Sequence, residues 1–189
     1  MNLYRKKLLN AILFFARNTR YPYKIKMAKL LYYLDFTHFK QVGYPSIGLK
    51  YQAFKNGPLP FSLWGEITDG IVPKDFRDHL DLIRADFNPA AVEFIAKKDP
   101  DLSVFTPRER RIISDIVKKY RDKKAEEMIE ISHKERPWEI TFRNKGEKAF
   151  IDYILAIEDD STLTKDEATE SLKSFYEVLN NFELSPDLP

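Results

Sequence analysis

The most apolar stretch of the chain places the strongest constraint on its fold. The segment "KMAKLLYYLDFTHFK" repeats large apolar side chains at helical spacing, directly after the punctuating sequence "TRYPYK". We predict a helix from about Tyr23 to Phe39, with Pro22 at or near its start. Its inward positions are Met27, Leu30, Leu31 and Leu34. These leucines must be buried, so other elements of the chain have to cover them.

Two further helices carry clear start signals. The sequences "TPRE" and "TKDE" each place a threonine at the N-cap and a glutamate three residues later, which is the capping-box pattern. The first box predicts a helix after Thr106, and the second predicts a C-terminal amphipathic helix over residues 165–182. An apolar face at the amino terminus predicts another helix over residues 2–17. The remaining segments that are helical by pattern are 63–71, capped by Ser62, then 124–133 and 147–157.

The β structure is expected to be small. The segment "LKYQAFKNGPLP" looks extended and ends in a Gly-Pro turn. Residues 82–87 and 92–97 have the pattern of two strands about the turn Asn88–Pro89. No repeat or low-complexity tract interrupts the sequence. We therefore predict a mainly α fold, a single helical domain over residues 1–189 with a small antiparallel β-hairpin or sheet element, that is, a helix-dominated α+β class.

The composition excludes several kinds of chemistry. The 189 residues contain no cysteine, which excludes disulfides, zinc–thiolate sites and thiol nucleophiles. None of the six glycines forms a phosphate-binding loop motif, so we expect no cofactor. Asn10 interrupts the short apolar run near the amino terminus, and no apolar run approaches the ~20 residues that span a bilayer. We expect a cytoplasmic protein that does not contact a membrane.

Charge is unevenly distributed along the chain. The first 34 residues carry eight Lys or Arg and no acid, whereas residues 158–189 carry nine Asp or Glu against two lysines. Such regions attract each other, either within one molecule or between two copies in a homo-oligomer. The alternative is a nucleic-acid surface, since tyrosines can stack on bases while cations neutralise phosphates. The candidate partner surface in either case is Arg17, Arg20, Tyr21, Tyr23, Lys24 and Lys26.

Two histidines have acidic neighbours that could form a metal site. His38 follows Asp35 by three residues on one helix, and His79 lies among Asp75, Asp78 and Asp81. No third ligand accompanies the first pair, and imidazole is a poor ligand for the hard cations that the second cluster would suit. We therefore expect no metal, with His38 at a solvated helix end and His79 in a charged, exposed turn.

The third histidine lies in "IEISHKERPWEI", which raises the question of acid–base chemistry. His133 closes a helix and Glu135 follows it by two residues, but general acid–base work also needs a cleft and an orienting group. A histidine at a helix end can instead cap a carbonyl and interact with the helix dipole. Trp138, after Pro137, would then pack the outgoing chain against the helices. We expect this segment to fasten the structure, and we expect no catalytic residue.

Laid end to end, these segments resemble one family. "KLLYYLDFTHFKQVGYP" followed by "YQAFKNGPLP" and "LWGEI", and later "FTPRERRIISDIVKKYRDKKAEEMIEISHKERPW", are similar to the Panacea domain of SocA-like antitoxins over roughly residues 25–140. The tripeptide Phe54-Lys55-Asn56 departs from the family pattern, in which an aromatic residue often precedes the glycine. The positions that carry the resemblance are Lys29, Leu30, Leu31, Tyr32, Gly43, Gly57, Pro58, Ser132, His133, Glu135, Pro137 and Trp138.

The resemblance implies a function in a toxin–antitoxin system. A member of this family is expected to bind and neutralise a cognate toxin protein by direct protein–protein contact. Members are paired with unrelated toxins, so the resemblance does not identify the toxin. It implies structural roles for the motif positions, and nucleic-acid regulation through the basic N-terminal helices stays the alternative function.

Overall fold

The structure is a computed structural model that describes residues 1–67 and 70–184, apart from the side chain of Pro89. It has the predicted fold class, because helices dominate and are accompanied by two small antiparallel sheets. The helices are α1 (Leu3–Asn18), α2 (Lys24–Val42), α3 (Phe61–Glu66), α4 (Pro107–Tyr120), α5 (Ala125–Ser132), α6 (Arg136–Lys145) and α7 (Lys165–Asn181). The strands are β1 (Tyr51–Phe54), β2 (Gly57–Pro60), β3 (Leu80–Ala85) and β4 (Asn88–Ala96). The expected domain 1–189 includes residues outside the described ranges.

Helix α2 is the most deeply buried helix of the fold. It packs against α1, α4, α5 and β2, and its leucines 30, 31 and 34 are fully buried. Burial continues around the helix, because Lys26, Lys29 and Asp35 are also inside. A helix surrounded on nearly all sides needs apolar residues on nearly all faces, which explains why this segment is the most apolar of the chain.

The first hairpin, β1–β2, gains a third strand-like partner from a distant part of the sequence. Strands β1 and β2 pair from Tyr51 opposite Pro60 to Phe54 opposite Gly57. On the free edge of β1, the amide of Ala53 donates to the carbonyl of Ala149 at 2.9 Å, and the amide of Lys148 donates back to Ala53 at 2.7 Å. The predicted helix over 147–157 is therefore wrong. Gly146 and Lys148 both have positive φ, a conformation that ends helix α6 and turns the chain onto the hairpin.

The second hairpin, β3–β4, turns earlier than the sequence indicates. Leu80 pairs with Ala96 and Ala85 pairs with Asn88, so residues 86 and 87 form the turn in place of Asn88–Pro89. A bulge at Arg84/Ala85 shifts the register, and the side-chain oxygen of Asn88 accepts the amide of Ala90 at 3.0 Å. The amide of Phe94 donates to the carbonyl of Pro22, which ties the hairpin to the start of α2.

Local sequence signals decide where most of the helices begin. Both capping boxes are present: Thr106 and Glu109 exchange hydrogen bonds at the start of α4, and Thr164 and Glu167 do so at the start of α7. Ser62 does not cap α3, because that helix already begins at Phe61 after Pro60. Helix α6 was not predicted, although Pro137 occupies its first turn, where a missing amide has no cost.

Helix α7 packs against the loop that follows α2. The ring of Phe175 stacks on Tyr44 with centroids 5.7 Å apart and meets Tyr4 of α1 edge to face at 5.4 Å. A Cβ at Gly43 would lie 2.7 Å from the Cβ of Ser171, so the glycine permits this close approach. Ala168, Phe175 and Leu179 are consequently buried, and α7 closes the core. Within the described residues, no helix has the length and apolar character that crossing a membrane requires.

Candidate partner-binding site

Four of the family-motif positions meet where α2, β2 and α5 touch. The ammonium of Lys29 is fully buried and donates to the carbonyl of Pro58 at 2.9 Å. Gly57 precedes that proline with φ of 87°. A Cβ there would lie 2.8 Å from Nζ of Lys29 and closer still to the hydroxyl of Ser132. Glycine is therefore required both by its backbone conformation and by the space that the lysine and serine occupy.

The environment of Lys29 disfavours its charge. Burial lowers the pKa of Lys29 to about 7, because desolvation penalises the ammonium more than the neutral amine. The ammonium of Lys29 donates to the carbonyl of Pro58, and the hydroxyl of Ser132 donates to the carbonyl of Ile129 at 2.9 Å. The lysine thus joins the central helix to the first hairpin from inside the protein.

His133 and Trp138 hold the turn of the first hairpin from the other side. Nε2 of His133 lies 2.9 Å from the carbonyl of Lys55, so the ring donates through this nitrogen. The indole N–H of Trp138 donates to the carbonyl of Phe54 at 3.0 Å. The two rings stack with centroids 4.2 Å apart and planes within 10°. This geometry agrees with the fastening role that we expected for the segment.

The remaining motif positions belong to the core and to helix termini. Leu30, Leu31 and Tyr32 are fully buried, and the ring of Tyr32 stacks on Phe36 at 4.1 Å. Gly43 ends α2 in the left-handed conformation. Pro137 is buried at the start of α6, and Glu135 is the N-cap residue of that helix.

The pair Asp35 and His38 is not at a solvated helix end, which corrects our expectation. Asp35 is fully buried and accepts from the amides of residues 47, 48 and 49 and from the hydroxyls of Tyr51 and Tyr153. Burial raises the pKa of Asp35 to about 6, and these hydrogen bonds limit the rise. His38 is buried and its Nδ1 lies 2.8 Å from the carbonyl of Tyr44. Both side chains fix the loop after α2.

No group of three potential metal ligands occurs in the described part of the chain. The acidic cluster near His79 is divided among other interactions. Asp75 binds Arg5, and Asp81 binds Lys97. His79 is half buried.

The proposed N-terminal partner surface is only partly a surface. Lys26 is fully buried and donates to the carbonyls of residues 20, 121 and 123 at 2.7 to 2.8 Å, so its assignment to that surface is wrong. Burial lowers the pKa of Lys26 to about 8. Arg17 pairs with Asp99 and Arg20 pairs with Asp122, both at 3.2 Å.

The aromatic members of that set are dispersed. Tyr21 is exposed and, with Arg17 and Arg20, lines an open cleft of about 550 Å³ beside β4. Tyr23 is half buried against Phe87. The ammonium of Lys24 lies over the ring of Trp64 at 4.8 Å. These contacts leave less free positive charge than the sequence indicates.

A second concave region lies between α2 and α4, and we call it the α2–α4 hollow. Its volume is about 330 Å³, and its apolar floor is formed by Phe36, Ile112 and Ile116. At one end the rings of Tyr33 and Tyr120 stack with centroids 4.8 Å apart. Glu135 lines the same region, together with exposed Lys40 and Lys119.

Two ionisable groups in the α2–α4 hollow are affected by their burial. Burial raises the pKa of Glu135, although the charges of Lys40 and Lys119 limit the rise. Burial and the proximity of Glu135 raise the pKa of Tyr33 above its ordinary range. The hydroxyl of Tyr33 lies near Glu135 and Tyr120, although neither is aligned for a full hydrogen bond. Such an unsatisfied buried group is uncommon in proteins and marks a place where a further partner would be stabilising.

Comparison with known proteins agrees with the sequence resemblance. The sequence profile of the family described as "Antitoxin SocA-like, Panacea domain" matches residues 27–139, which is more than half of the chain. The chain belongs to this antitoxin family. No curated protein and no solved structure matches it.

Within this member of the family, the matched region includes the motif junction and the α2–α4 hollow, but not α1 or α7. The matched region also contains a charged surface that our sequence reasoning missed. Along the hollow side of α4 and the adjoining end of α2 runs a set of exposed cations that we call the basic stripe. Its members are Lys40, Arg108, Arg111, Lys118 and Lys119.

The basic stripe could have been found from helical spacing alone. Residues 108, 111, 115, 118 and 119 share one exposed face of α4, beside its buried isoleucines. We overlooked it because residues 35–157, which contain it, carry 21 cations against 20 acids and look balanced as a whole. Glu109 faces inward, where it binds Lys7, and Asp115 pairs with Lys118 at 3.2 Å. Together with Lys40 of α2, this face is thus more positive than residues 35–157 as a whole.

Proposed function

We propose that this protein is an antitoxin that neutralises a cognate toxin by direct protein–protein contact. The observation that carries the proposal is the family match over residues 27–139. The positions of His133 and Trp138 support it, because these motif side chains bind the backbone of the first hairpin and so maintain the scaffold. A family that retains a scaffold and meets different toxins would vary the exposed side chains around it.

We infer that neutralisation involves no reaction catalysed by this chain. Lys29 and Ser132 are fully buried, so a substrate would not reach either group without local unfolding. The ring of His133 is engaged by a carbonyl and by the stacked indole of Trp138. General acid–base catalysis requires a side chain that can exchange protons with a bound substrate, and these groups are instead occupied in joining elements.

The direct test is coexpression with the product of the adjacent gene. We expect the antitoxin to restore growth to cells that express the toxin, and the two proteins to copurify as a complex. The complex should stay together during gel filtration, and isothermal titration calorimetry with the purified proteins should detect binding. Rescue of growth without any physical complex would refute neutralisation by contact.

Substitution of His133 separates a structural role from a chemical one. His133→Ala removes the hydrogen bond to Lys55 and the stacking on Trp138, so we expect a loss of about 1–2 kcal/mol of stability with neutralisation retained while the protein is folded. His133→Gln is the control, because its amide can still donate to the carbonyl. A fully folded His133→Ala protein that binds the toxin but fails to neutralise it would indicate chemistry at this residue.

A further inference from the structure

The face formed by α2 and α4 combines positive charge with a concave apolar floor. The basic stripe carries five cations, and the acid within it, Asp115, is paired with Lys118. Glu135 adds one further negative charge, which lies deeper, on the wall of the α2–α4 hollow. The outer rim of this face is therefore positive, whereas its floor is apolar. Charge complementarity at such a rim favours an acidic partner.

The α2–α4 hollow has the size and chemistry of a pocket for an anchoring side chain. Its volume of about 330 Å³ is large enough for one bulky side chain, and Phe36, Ile112 and Ile116 would bury that side chain against apolar surface. The covered hydroxyl of Tyr33 lies near Glu135 at the side of this pocket. Binding energy at protein interfaces concentrates in anchors that fill pockets of this kind, surrounded by a polar rim.

The acidic part of this chain does not cover the basic stripe in the described structure. Helix α7 packs against Tyr4, Tyr44 and the glycine at position 43. Among the described residues, no ion pair joins α7 to the basic stripe. Within the described residues, α7 therefore does not complement the stripe, and we look to another molecule for the complementary negative charge.

We propose that the α2–α4 face is the toxin-docking surface, and that it receives an acidic segment of the toxin whose apolar or aromatic side chain enters the α2–α4 hollow. Carboxylates of that segment pair with Lys40 and Lys119 at the rim. This inference rests on the proposed antitoxin function and adds to it the location and the chemistry of the contact.

A protein segment suits this face better than a nucleic acid does. The floor offers two isoleucines and a buried phenylalanine, whereas a surface for single-stranded nucleic acid relies on exposed aromatic rings that stack on bases. The rings of Tyr33 and Tyr120 are stacked on each other and buried.

The experiment measures binding of the purified toxin, the adjacent gene product, to the full-length antitoxin. The test variant Lys40→Glu/Lys119→Glu reverses two charges at the rim, and the matched control Arg17→Glu/Arg20→Glu reverses two charges at the N-terminal cleft. We expect about 100-fold weaker binding for the test variant and less than threefold for the control. Both variants should melt as single cooperative transitions, which verifies that they are folded.

A second pair of variants tests the hollow without changing charge. Thr37→Trp fills the α2–α4 hollow, because Thr37 lines it, whereas Thr169→Trp places the same side chain on exposed α7. We expect tenfold or more loss of toxin affinity for Thr37→Trp and an unchanged affinity for Thr169→Trp. Tight binding by both tryptophan variants and by the rim variant would overturn the proposal.

The outcomes distinguish the docking surface from the function. If the wild-type antitoxin does not bind the adjacent gene product, the proposed function fails and the inference fails with it. If all variants bind the toxin as the wild type does, the inference alone fails. A rim variant that keeps toxin binding but loses affinity for a mixed-sequence DNA duplex at low salt would reassign the face to nucleic acid. A wild-type dimer that the rim variant converts to a monomer, with toxin binding intact, would reassign it to a second copy.

Discussion

The two basic regions of this protein use their positive charge in opposite ways. Of the eight cations in the first 34 residues, four are buried, and they are Arg5, Lys7, Lys26 and Lys29. The cations of the basic stripe are all exposed, although the stretch 35–157 that contains them carries 21 cations against 20 acids. A count of charges along a sequence therefore does not give the charge of a surface. What matters is whether the helix that carries them lies inside the fold.

The buried cations are accompanied by acceptors that make burial tolerable. Arg5 binds Glu66 and Asp75. Lys7 binds Glu109 at 2.7 Å, and Lys26 binds three backbone carbonyls. Burying a charge without such partners costs several kcal/mol. Because each pair joins segments that are distant in sequence, the N-terminal cations act as structural links.

The largest loss of stability is expected from a substitution at Gly57, beside the buried ammonium of Lys29. Gly57→Ala should lower the free energy of unfolding by about 3 kcal/mol or more, because the new methyl group meets Lys29 and Ser132 and because φ is 87°. Gly65→Ala is the matched control, since no atom lies within 4 Å of its added Cβ and the residue is helical. Urea unfolding of both variants measures the difference. Equal stabilities would show that the junction is looser than the contacts indicate.

Removing one cation from each basic region should give the next largest difference in stability. Lys7→Met leaves Glu109 buried without its cation, which we expect to cost roughly 3 kcal/mol. Arg111→Met removes an exposed cation of the basic stripe and should change stability by less than about 0.5 kcal/mol. Chemical denaturation at pH 7 compares them directly. Similar losses from both substitutions would contradict the division into structural and surface charge.

The stability difference between wild type and Lys7→Met should depend on pH, in the direction expected for a buried carboxylate paired with a cation. Burial opposes the ionisation of Glu109, but Lys7, Ser46 and the amide of Thr106 together hold its pKa below the ordinary 4.5. A lowered pKa contributes stability that is present above pH 4.5 and is lost as the pH falls through the folded value. The gap between wild type and Lys7→Met should therefore narrow in acid, where Glu109 becomes protonated in both proteins.

Local signals in the sequence predicted the helices better than they predicted the site. The capping boxes at Thr106 and Thr164 are recognisable because each is complete within four residues. The apolar spacing of residues 147–157 predicts a helix, whereas pairing with β1 decides the conformation of this segment. That pairing depends on residues nearly 100 positions away, so a local sequence pattern cannot predict it.

The same reason explains which parts of the candidate site could be foreseen. The resemblance identified Lys29, Gly57 and Ser132 as important, but only the fold shows that the three share one small volume. Lys26 looked like a surface residue because three carbonyls from two loops surround it only after folding. The α2–α4 hollow likewise depends on how two helices, separated by the residues between Val42 and Pro107, pack together.

The last comparison contrasts a buried with an exposed lysine across pH. Burial lowers the pKa of Lys29 to about 7, so above that pH the folded protein holds fewer protons than the unfolded chain. The free energy of unfolding should then rise with pH, by about 2 kcal/mol between pH 7.5 and 9.5, as the unfolded state retains the proton. Lys29→Met should lose this part of the rise, whereas Lys118→Met in the basic stripe should keep it, because its ammonium is solvated in both states. Urea titrations at several pH values measure the free energy of unfolding of the three proteins. If this free energy changes with pH in the same way for wild type and Lys29→Met, Lys29 stays charged in the folded protein.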